Sequence, residues 1–405
     1  MNDAAATEDA SAWQLLGAVP HRFFFLAGMI QLGLASLWWL AVQAARAIPG
    51  WAALPGTVPD TAVHALLMID GFLPMFMFGF LFTAGPRWLN VDTPQSAKWR
   101  PAALIAAASG IALVLAQLVD ATLMRAAAAL YALAWLWLCS LFLRLLGASR
   151  APDKVHATLV LAALVAGAST VLAFALFGSR THTWVCDVGV WCFLIPVFAT
   201  VCHRMIPFFT AGVLPQIAVF RPWWVLAIMV GAAPAHGALA AFGPDNSTWL
   251  VDLPAAVFLW LLVWRWGIVQ SLANRLLAML HLGFVWYAIA LTLFGVQSLL
   301  GLSGYGVLGL APLHALTMGF CTSLLMAMVT RVTCGHSGRI LAADAWTWRL
   351  FLLLQLATLS RIAAEIIPGR GWLPAAILLW SLSILPWSAK CAPVYWRPRI
   401  DGRAG

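Results

Sequence analysis

Long apolar runs separated by short polar segments make up almost the whole chain. A helix needs roughly 20 apolar residues to cross the hydrocarbon core of a bilayer, so these runs predict about twelve transmembrane helices. The breaks between them are clusters of charged residues, proline and glycine. We place the predicted helices at 23–45, 60–84, 101–119, 124–146, 155–178, 184–208, 223–243, 253–270, 277–300, 309–330, 347–367 and 371–389.

The composition supports this interpretation, because 63% of the residues are hydrophobic and only 9% are charged. A soluble domain needs a more polar surface than that. The sequence therefore predicts an all-α integral membrane protein whose single transmembrane domain covers residues 23–390. Residues 1–22 are predicted to form a cytoplasmic N-terminal segment, without the features of a cleavable signal peptide. Residues 391–405 are predicted to form a basic cytoplasmic tail.

Basic residues are distributed unevenly between the predicted loops, and short loops rich in Lys and Arg stay in the cytoplasm. A topology with both termini in the cytoplasm places eleven of them on that side: Arg87, Lys98, Arg100, Arg150, Lys154, Arg221, Arg275, Arg339, Arg397, Arg399 and Arg403. The opposite side holds Asp60, Asp120, Asp245 and Asp252, with Arg46, Arg180 and Arg370. This bias explains the net charge of +9, so we expect a lipid bilayer and no nucleic acid as partner.

A five-residue phrase occurs twice, as HALLM at residues 64–68 and as HALTM at residues 314–318. In both copies a methionine follows the histidine by four residues, so the two side chains share one face of a helix. His64 and His314 lie about one turn inside the outer ends of predicted helices 2 and 10, which the topology makes parallel. Neutral imidazole is a common ligand of haem iron. The phrase therefore predicts a b-type haem with His64 and His314 as axial ligands.

Other residues near the phrase suit a haem. Met68 and Met318 would flank the porphyrin, and Gly71 and Gly319 would leave room for it. The simpler alternative is that each histidine forms a hydrogen bond between helices, which contributes about 1 kcal/mol or less. If the helices form three groups of four, then helices 2, 6 and 10 are equivalent, although helix 6 lacks the phrase.

Two further features favour an alternative function, a polytopic transporter of a metal, haem or small solute that uses the same histidines. Asp70 lies inside predicted helix 2, where a carboxyl group is energetically costly, so it is a candidate for binding a cation or relaying a proton. A structural role in a charged pair is equally compatible. Pro207 predicts a break or kink in helix 6, and such a break can form a substrate site in a transporter.

A set of basic side chains falls at the predicted cytoplasmic helix ends, where they could converge: His21, Arg22, His203, Arg204, His281, Arg331, His336 and Arg339. Arg331 and Arg339 are candidates for binding haem propionates or a quinone carbonyl. His21, His281 and His336 are candidate metal ligands, and the glycines around His336 predict a tight loop that presents it to an anion or a metal. Alternatively, the arginines anchor helix ends to lipid phosphates.

The second copy of the phrase continues into MVTRVTCGHSGR at residues 328–339, and this signature resembles the NnrS family of membrane proteins linked to nitric oxide stress. Four other segments resemble the family in the same order: HRFFF at 21–25, GFLFTA at 79–84, RMIPFFT at 204–210 and LHLG at 280–283. The resemblance implies a haem- and copper-containing protein of the bacterial inner membrane, associated with denitrification or with protection from nitric oxide.

This chain departs from the family pattern in helix 2. Family members often carry His-Ala-His-Glu-Met there, whereas Leu66 and Leu67 replace the second histidine and the acid. A second metal site built from that pair lacks its ligands in this chain.

The predicted architecture is also similar to the membrane subunit of haem-copper oxidases and nitric oxide reductases, in which helices 2 and 10 bind a low-spin haem. Their binuclear site needs further histidines, and helix 6 offers only Cys186, Asp187 and Cys192 in its outer half. We therefore expect electron transfer, with quinol or nitric oxide as partner and haem-dependent oxidoreductase as the candidate enzyme class. The seven cysteines form no Cys-x-x-Cys pair, so we expect no disulfide framework.

Overall fold

The computed structural model describes residues 11–306 and 308–402. Regular structure in these residues is helical, and none of them forms a β-strand. The prediction of an all-α protein is confirmed for this part of the chain. The first ten residues of the predicted N-terminal segment and Arg403 of the predicted tail lie outside the described residues.

Within the described residues, one long helix lies at each of the twelve predicted positions. The first six are α1 (Pro20–Ala47), α2 (Asp60–Leu89), α3 (Ser96–Ala116), α4 (Ala121–Ala148), α5 (Val155–Phe177) and α6 (182–213). The second six are α7 (Trp223–Phe242), α8 (Trp249–Arg265), α9 (Arg275–Leu302), α10 (Ala311–His336), α11 (Ala345–Ile366) and α12 (Trp372–Tyr395).

Nine helical stretches of the described chain are long and apolar enough to cross a membrane. One of them, Val155–Val213, contains both α5 and α6. Helix α8, with its 17 residues, and α11 are not among the nine. The helices therefore indicate a multi-pass membrane protein, whereas twelve spans and cytoplasmic termini remain predictions.

The chain divides into two compact units. Unit 1 is formed by the described residues of 1–193, 332–340 and 387–405, and unit 2 by those of 194–331 and 341–386. His64 therefore belongs to unit 1 and His314 to unit 2. The single transmembrane domain at 23–390 remains a prediction.

Aromatic side chains of α1, α2 and α4 form much of the core of unit 1. The rings of Phe24 and Phe82 stack with their centroids 6.1 Å apart, and Phe142 meets Phe82 edge-on at 5.9 Å. Such pairs contribute about 0.5–1.5 kcal/mol beyond the burial of their surface. Gly79 lets α2 approach α1 closely, because a Cβ atom at this position would lie 2.7 Å from a ring carbon of Phe25.

Unit 2 has its own aromatic centre, which joins α7, α9 and α10. The rings of Tyr287 and Phe320 stack at 4.6 Å with an interplanar angle of 13°. The Tyr287 hydroxyl donates a hydrogen bond of 2.8 Å to the Met229 carbonyl. This contact matters for the candidate site because Phe320 lies six residues after His314 on α10.

Several helices begin at capping residues, which accept hydrogen bonds from the free N–H groups of the first turn. Asp120 precedes α4 and accepts from the backbone N–H groups of Leu123 and Thr122, at 3.0 and 2.8 Å. These hydrogen bonds hold the pKa of the Asp120 carboxyl below its usual value, and the bond from Leu123 has the largest effect. Asn274 caps α9 in the same way, through a bond of 3.1 Å from the Leu277 N–H.

Several predicted helix ends differ from the observed ones, and at two of them a glycine in a left-handed conformation follows the true end. Helix α8 ends at Arg265 and not near residue 270, because Gly267 follows with φ of +86°. Helix α10 continues past residue 330 to His336, and Gly338 has φ of +73°. Glycine adopts this conformation without the steric penalty of other residues.

The close contact at Gly79 generates a stability prediction. We expect Gly79→Ala to lower the thermal unfolding midpoint in detergent, because overpacking of this kind destabilises a core by about 1–3 kcal/mol. Gly147→Ala is the matched control, since Gly147 also lies in a helix of unit 1 and has no atom within 4 Å of an added Cβ. Equal unfolding midpoints for the two variants would contradict the close packing of α1 on α2.

Candidate functional site

Both copies of the repeated phrase lie where an α-helix changes into a π-helix, a conformation that is frequent at functional sites. Three residues after His64, α2 becomes π-helical over Leu67–Gly71, and directly after His314, α10 becomes π-helical over Ala315–Thr322. In both copies the histidine and the methionine are half-buried. Each unit thus carries a His-Met face that the rest of the unit does not fully cover.

The imidazole of His64 packs against an aromatic ring from α1. It stacks on Trp39 with a centroid distance of 3.9 Å and an interplanar angle of 17°. The guanidinium of Arg46 lies 5.6 Å from the Trp39 ring centroid and forms an ion pair of 2.8 Å with Asp60. A cation and an aromatic plane therefore hold the surroundings of His64 in a defined arrangement.

The imidazole of His314 is oriented by its own helix. Its Nδ1 lies 2.9 Å from the Leu310 carbonyl oxygen. A carbonyl can only accept, so Nδ1 carries the proton and Nε2 keeps its lone pair. An arginine and a carboxylate are also close, because the charges of Arg361 and Glu365 both act on His314 and these two residues form an ion pair of 2.6 Å.

A third π-helical segment, Gly189–Leu194, interrupts α6. The three segments therefore lie on α2, α6 and α10, the helices that a repeat of four helices would make equivalent. Cys186 stands three residues before the segment of α6, as His64 stands three residues before that of α2. The repeat that the sequence shows only partly is thus present in the local helix geometry.

One of the two glycines expected to leave room for a porphyrin does not do so. A Cβ atom on Gly319 would lie 2.6 Å from a ring carbon of Trp286, so the indole already fills that space. The Trp286 indole N–H donates to Gln355 at 2.7 Å, which holds the ring there. At Gly71 the nearest atoms belong to Leu67 of the same helix, at 3.5 Å. The predicted role of Gly319 is therefore wrong.

Two of the histidines predicted to bind metal meet in unit 1. The rings of His21 and His336 lie 4.6 Å apart at an angle of 49°, and His21 is only 2% exposed. The positive charges of Arg87, Arg399 and Arg22 act on His336. These charges disfavour a bare cation beside the two imidazoles and favour an anionic group.

The basic set predicted at the cytoplasmic ends is divided between the units. His21, Arg22, His336 and Arg339 belong to unit 1, and His203, Arg204, His281 and Arg331 belong to unit 2. The Arg331 guanidinium lies 3.7 Å from the ring centroid of Phe209. Arg339 follows the Gly338 turn, and one of its terminal nitrogens is buried without a hydrogen-bond partner.

His281 forms a hydrogen bond between α9 and α6. Its Nε2 lies 2.9 Å from the Thr210 hydroxyl oxygen, and that hydroxyl donates its proton to the Ile206 carbonyl at 2.8 Å. A hydroxyl has one proton, so the His281 Nε2–H must be the donor to Thr210. This is the interhelical role that was the simpler alternative for a membrane histidine.

Helix α6 is continuous through Pro207, so the predicted break there is wrong, whereas the alternative of a kink stays a prediction. The helix runs as an α-helix from Ile195 to Val213, and its irregular segment lies earlier, at Gly189–Leu194. A proline can stay within a helix when its neighbours accommodate the missing N–H. A broken helix at Pro207 therefore no longer supports a substrate site.

His236 and Asp252 form a buried pair that the sequence analysis missed. The His236 Nδ1 and the Asp252 carboxylate are 2.7 Å apart, and Asp252 is 0% exposed. The available signal was their position near the loop between α7 and α8, since His236 lies in the second half of α7 and Asp252 in the first turn of α8. Residues near the connected ends of a helical hairpin can meet.

The functional neighbours of His64 and His314 were also missed. Trp39 was not among the candidate residues, and Arg46 was an exception to the charge distribution of the loops. Arg361 and Glu365 are four residues apart on α11, the spacing that places an arginine and a glutamate on one helix face. These two features, an arginine on the acidic side and an i,i+4 pair within an apolar helix, were the available signals.

In the part of the chain that the structure describes, no group of three or more His, Cys, Asp or Glu side chains is arranged to hold a metal ion. All seven cysteines lie in the described residues and are free. The ligands for a copper ion stay a prediction.

A family model described as NnrS protein matches residues 16–399 of the chain. The matched range contains every candidate residue from His21 to Arg339. No curated protein matches the chain.

The chain after α12 is held next to the His21–His336 pair by hydrogen bonds from Arg22. This contact generates a prediction. Arg22 is 3% exposed and donates to the carbonyls of Tyr395 and Arg397, at 3.3 and 2.9 Å. We expect Arg22→Met to make the bond after Arg399 several-fold more sensitive to trypsin, since a hydrogen bond to a charged group contributes about 1.5–3 kcal/mol. Mass spectrometry of the released peptides measures the rate.

Arg144→Met is the control for this experiment, because Arg144 is an exposed arginine of the same unit. Cleavage of the tail at the same rate in both variants would show that Arg22 does not anchor it.

Proposed function

Because this chain belongs to the NnrS family of membrane-type proteins, we propose that it is a membrane haem protein that handles nitric oxide or electrons. In this proposal His64 and His314 are ligands of b-type haem iron. The single observation that carries the proposal is the matched setting of the two histidines: each precedes a π-helical segment, and each shares a half-buried helix face with a methionine.

The chemistry of the donor atoms fits a haem. The Leu310 carbonyl holds the proton of His314 on Nδ1 and leaves Nε2 as a lone-pair donor, which is the usual arrangement of a metal-binding histidine. The Trp39 ring restricts the orientation of His64. Both side chains are therefore partly preorganised, so less conformational entropy is lost when iron binds.

Arginines beside the two histidines suit the propionates of a haem. Arg46 lies over the ring on which His64 stacks, and Arg361 lies close enough for its charge to act on His314. Guanidinium groups bind carboxylates through paired, charge-assisted hydrogen bonds. We therefore favour Arg46 and Arg361 for this role over Arg331, whose guanidinium lies against Phe209.

A bound haem would supply one-electron redox chemistry, and it would take a diatomic ligand only if one of the two histidines left the iron. The chain's own residues bind the iron, orient the imidazoles and keep water from the apolar faces of the ring. We propose quinol or nitric oxide as reaction partner, copper as a further metal, and an oxidoreductase as the enzyme class. The proposed location is the bacterial inner membrane, with twelve spans and both termini in the cytoplasm.

The similarity to haem-copper oxidases gains support from the π-helical segments on α2, α6 and α10. It remains a likeness of architecture, and a fold by itself does not assign a reaction. The alternative of a transporter loses one of its two arguments, because α6 continues through Pro207. No observation favours transport over haem binding.

Substitution of each histidine tests the proposal. We expect His64→Ala and His314→Ala each to remove most of the haem from detergent-purified protein, because the iron loses a ligand. The optical spectrum of the reduced protein and a haem assay measure this. His156→Ala and His203→Ala are controls from the same two units, because both replace buried histidines away from the π-helical segments.

Three outcomes decide this proposal. Loss of haem in the two site variants but not in the controls supports it, and the haem content per chain shows whether the histidines share one iron. Normal haem content in both site variants would end the assignment. A colourless, metal-free wild-type protein would favour the transporter.

The arginine assignment generates a separate prediction. We expect Arg46→Met to weaken haem retention about tenfold, because a hydrogen bond to a charged group contributes about 1.5–3 kcal/mol and each 1.4 kcal/mol is a factor of ten. We also expect the reduced haem to become easier to oxidise in this variant, since the positive charge of Arg46, which would stabilise the reduced state, is lost. A redox titration measures this.

Arg100→Met is the matched control for Arg46→Met, because Arg100 lies 4.7 Å from the ring centroid of Trp13. Equal haem retention and equal potentials in the two variants would exclude Arg46 as a propionate ligand.

A further inference from the structure

Asp70 is a buried carboxyl group that the proposed haem site does not use. It lies in the π-helical segment of α2 and is 1% exposed. One of its oxygens, Oδ1, has no hydrogen-bond partner. An ionised carboxylate in this setting would be very unfavourable without a cation, and Asp70 forms no ion pair with any described residue.

The hydrogen bonds of Thr170 indicate the state of Asp70. The Thr170 hydroxyl oxygen lies 2.6 Å from the Gly167 carbonyl oxygen and 2.9 Å from Asp70 Oδ2. The hydroxyl has one proton, and the shorter contact directs it to the carbonyl, which can only accept. Thr170 can donate to only one of the two oxygens at a time, so both contacts are hydrogen bonds at once only if Asp70 carries a proton on Oδ2 and donates it to Thr170. Together with the cost of burying a carboxylate, this arrangement favours a protonated Asp70.

The other polar group packed near Asp70 does not replace that proton. The Tyr131 hydroxyl donates its hydrogen to the Gly71 carbonyl at 2.7 Å, so it has none left for the acid. Asp70 is thus a neutral acid surrounded by Thr170, Tyr131 and apolar side chains within unit 1. A proton on this group can leave or return only along a path that other residues provide.

Helix α6 passes beside Asp70 and carries two side chains that can exchange protons. Gly189 lies beside Asp70, since a Cβ atom there would be 3.9 Å from Asp70 Oδ2. Cys186 lies one turn earlier, within electrostatic range of Asp70, and its sulfur is 4.0 Å from the ring nitrogens of His182. The spacing 182, 186 and 189 keeps these residues on one helix face.

Burial decreases along this face. Asp70 and Gly189 are buried, whereas Cys186 and His182 are half-buried, and His182 is the first residue of α6. An imidazole has one nitrogen that can donate a proton and one that can accept it, so His182 is suited to the solvent end of such a path.

We propose that Asp70 is a proton-binding site that exchanges its proton with the aqueous phase at the His182 end of α6, along the face formed by Gly189, Cys186 and His182. In each exchange one proton leaves Oδ2, the carboxyl becomes a carboxylate, and one proton is released to solvent at His182. The reverse transfer restores the protonated carboxyl group. No electron is transferred. This activity does not depend on the haem assignment.

Infrared spectroscopy of the purified full-length protein tests the proposal at neutral pH. We expect a carbonyl stretching band of a protonated carboxyl group, lost in Asp70→Asn and shifted to higher frequency in Thr170→Val, where the hydrogen bond is missing. Transfer to D2O should shift the band as the proton is replaced. We expect this shift to be several-fold slower in Cys186→Ala and in His182→Ala.

Asp187→Asn is the matched control, because Asp187 is exposed and points away from the 182, 186 and 189 face of the same helix. Its exchange rate should equal that of the wild type. Absence of a protonated carboxyl band, or a band that persists in Asp70→Asn, would overturn the proton site. Exchange in Cys186→Ala and His182→Ala as fast as in Asp187→Asn would overturn the path. The infrared band of Asp70 can be measured whether or not the protein carries haem. The result of this experiment is therefore independent of the result of the haem assay.

Discussion

The hydrocarbon core of a membrane offers no hydrogen-bond partners, and this constraint governs the structure of the chain. It explains why the described residues are helical and why each buried polar side chain needs a partner within the protein. The three π-helical segments are departures from regular α-helix, on α2, α6 and α10. Each follows a residue with metal-binding or proton-binding chemistry, namely His64, Cys186 and His314. The helix is irregular where the chain places its reactive groups.

Within these helices, single hydrogen bonds set the state of groups that titrate. Thr210 gives its one proton to a carbonyl of its own helix, so the His281 Nε2–H is the donor across that contact. Thr170 likewise has one proton for the Gly167 carbonyl and Asp70 Oδ2, and both contacts are hydrogen bonds when Asp70 is protonated, as proposed above. The Leu310 carbonyl acts in the same way on the Nδ1 of His314. Hydroxyl and carbonyl groups that carry no charge thereby decide which imidazole nitrogen can bind a metal.

Pairing between distant residues was largely outside the reach of the sequence. His21 and His336 meet although 314 positions separate them, and His236 finds Asp252 across a hairpin. In a soluble protein, periodic burial would indicate which face of a helix meets the core. In an apolar helix, faces that contact lipid and faces that contact protein have similar composition, so the pattern does not identify neighbours. For this reason Gly319 was expected to leave space that the indole of Trp286 fills.

The sequence by itself determined the helical class, the approximate positions of the helices and the membership of the family through residues 16–399. These follow from the length and polarity of local segments and from short motifs. Only the tertiary structure decided that Trp39 stacks on His64, that α6 continues through Pro207, and that Asp70 faces Thr170 and Gly189. Such contacts depend on how helices from distant parts of the chain pack, and no local pattern encodes that packing.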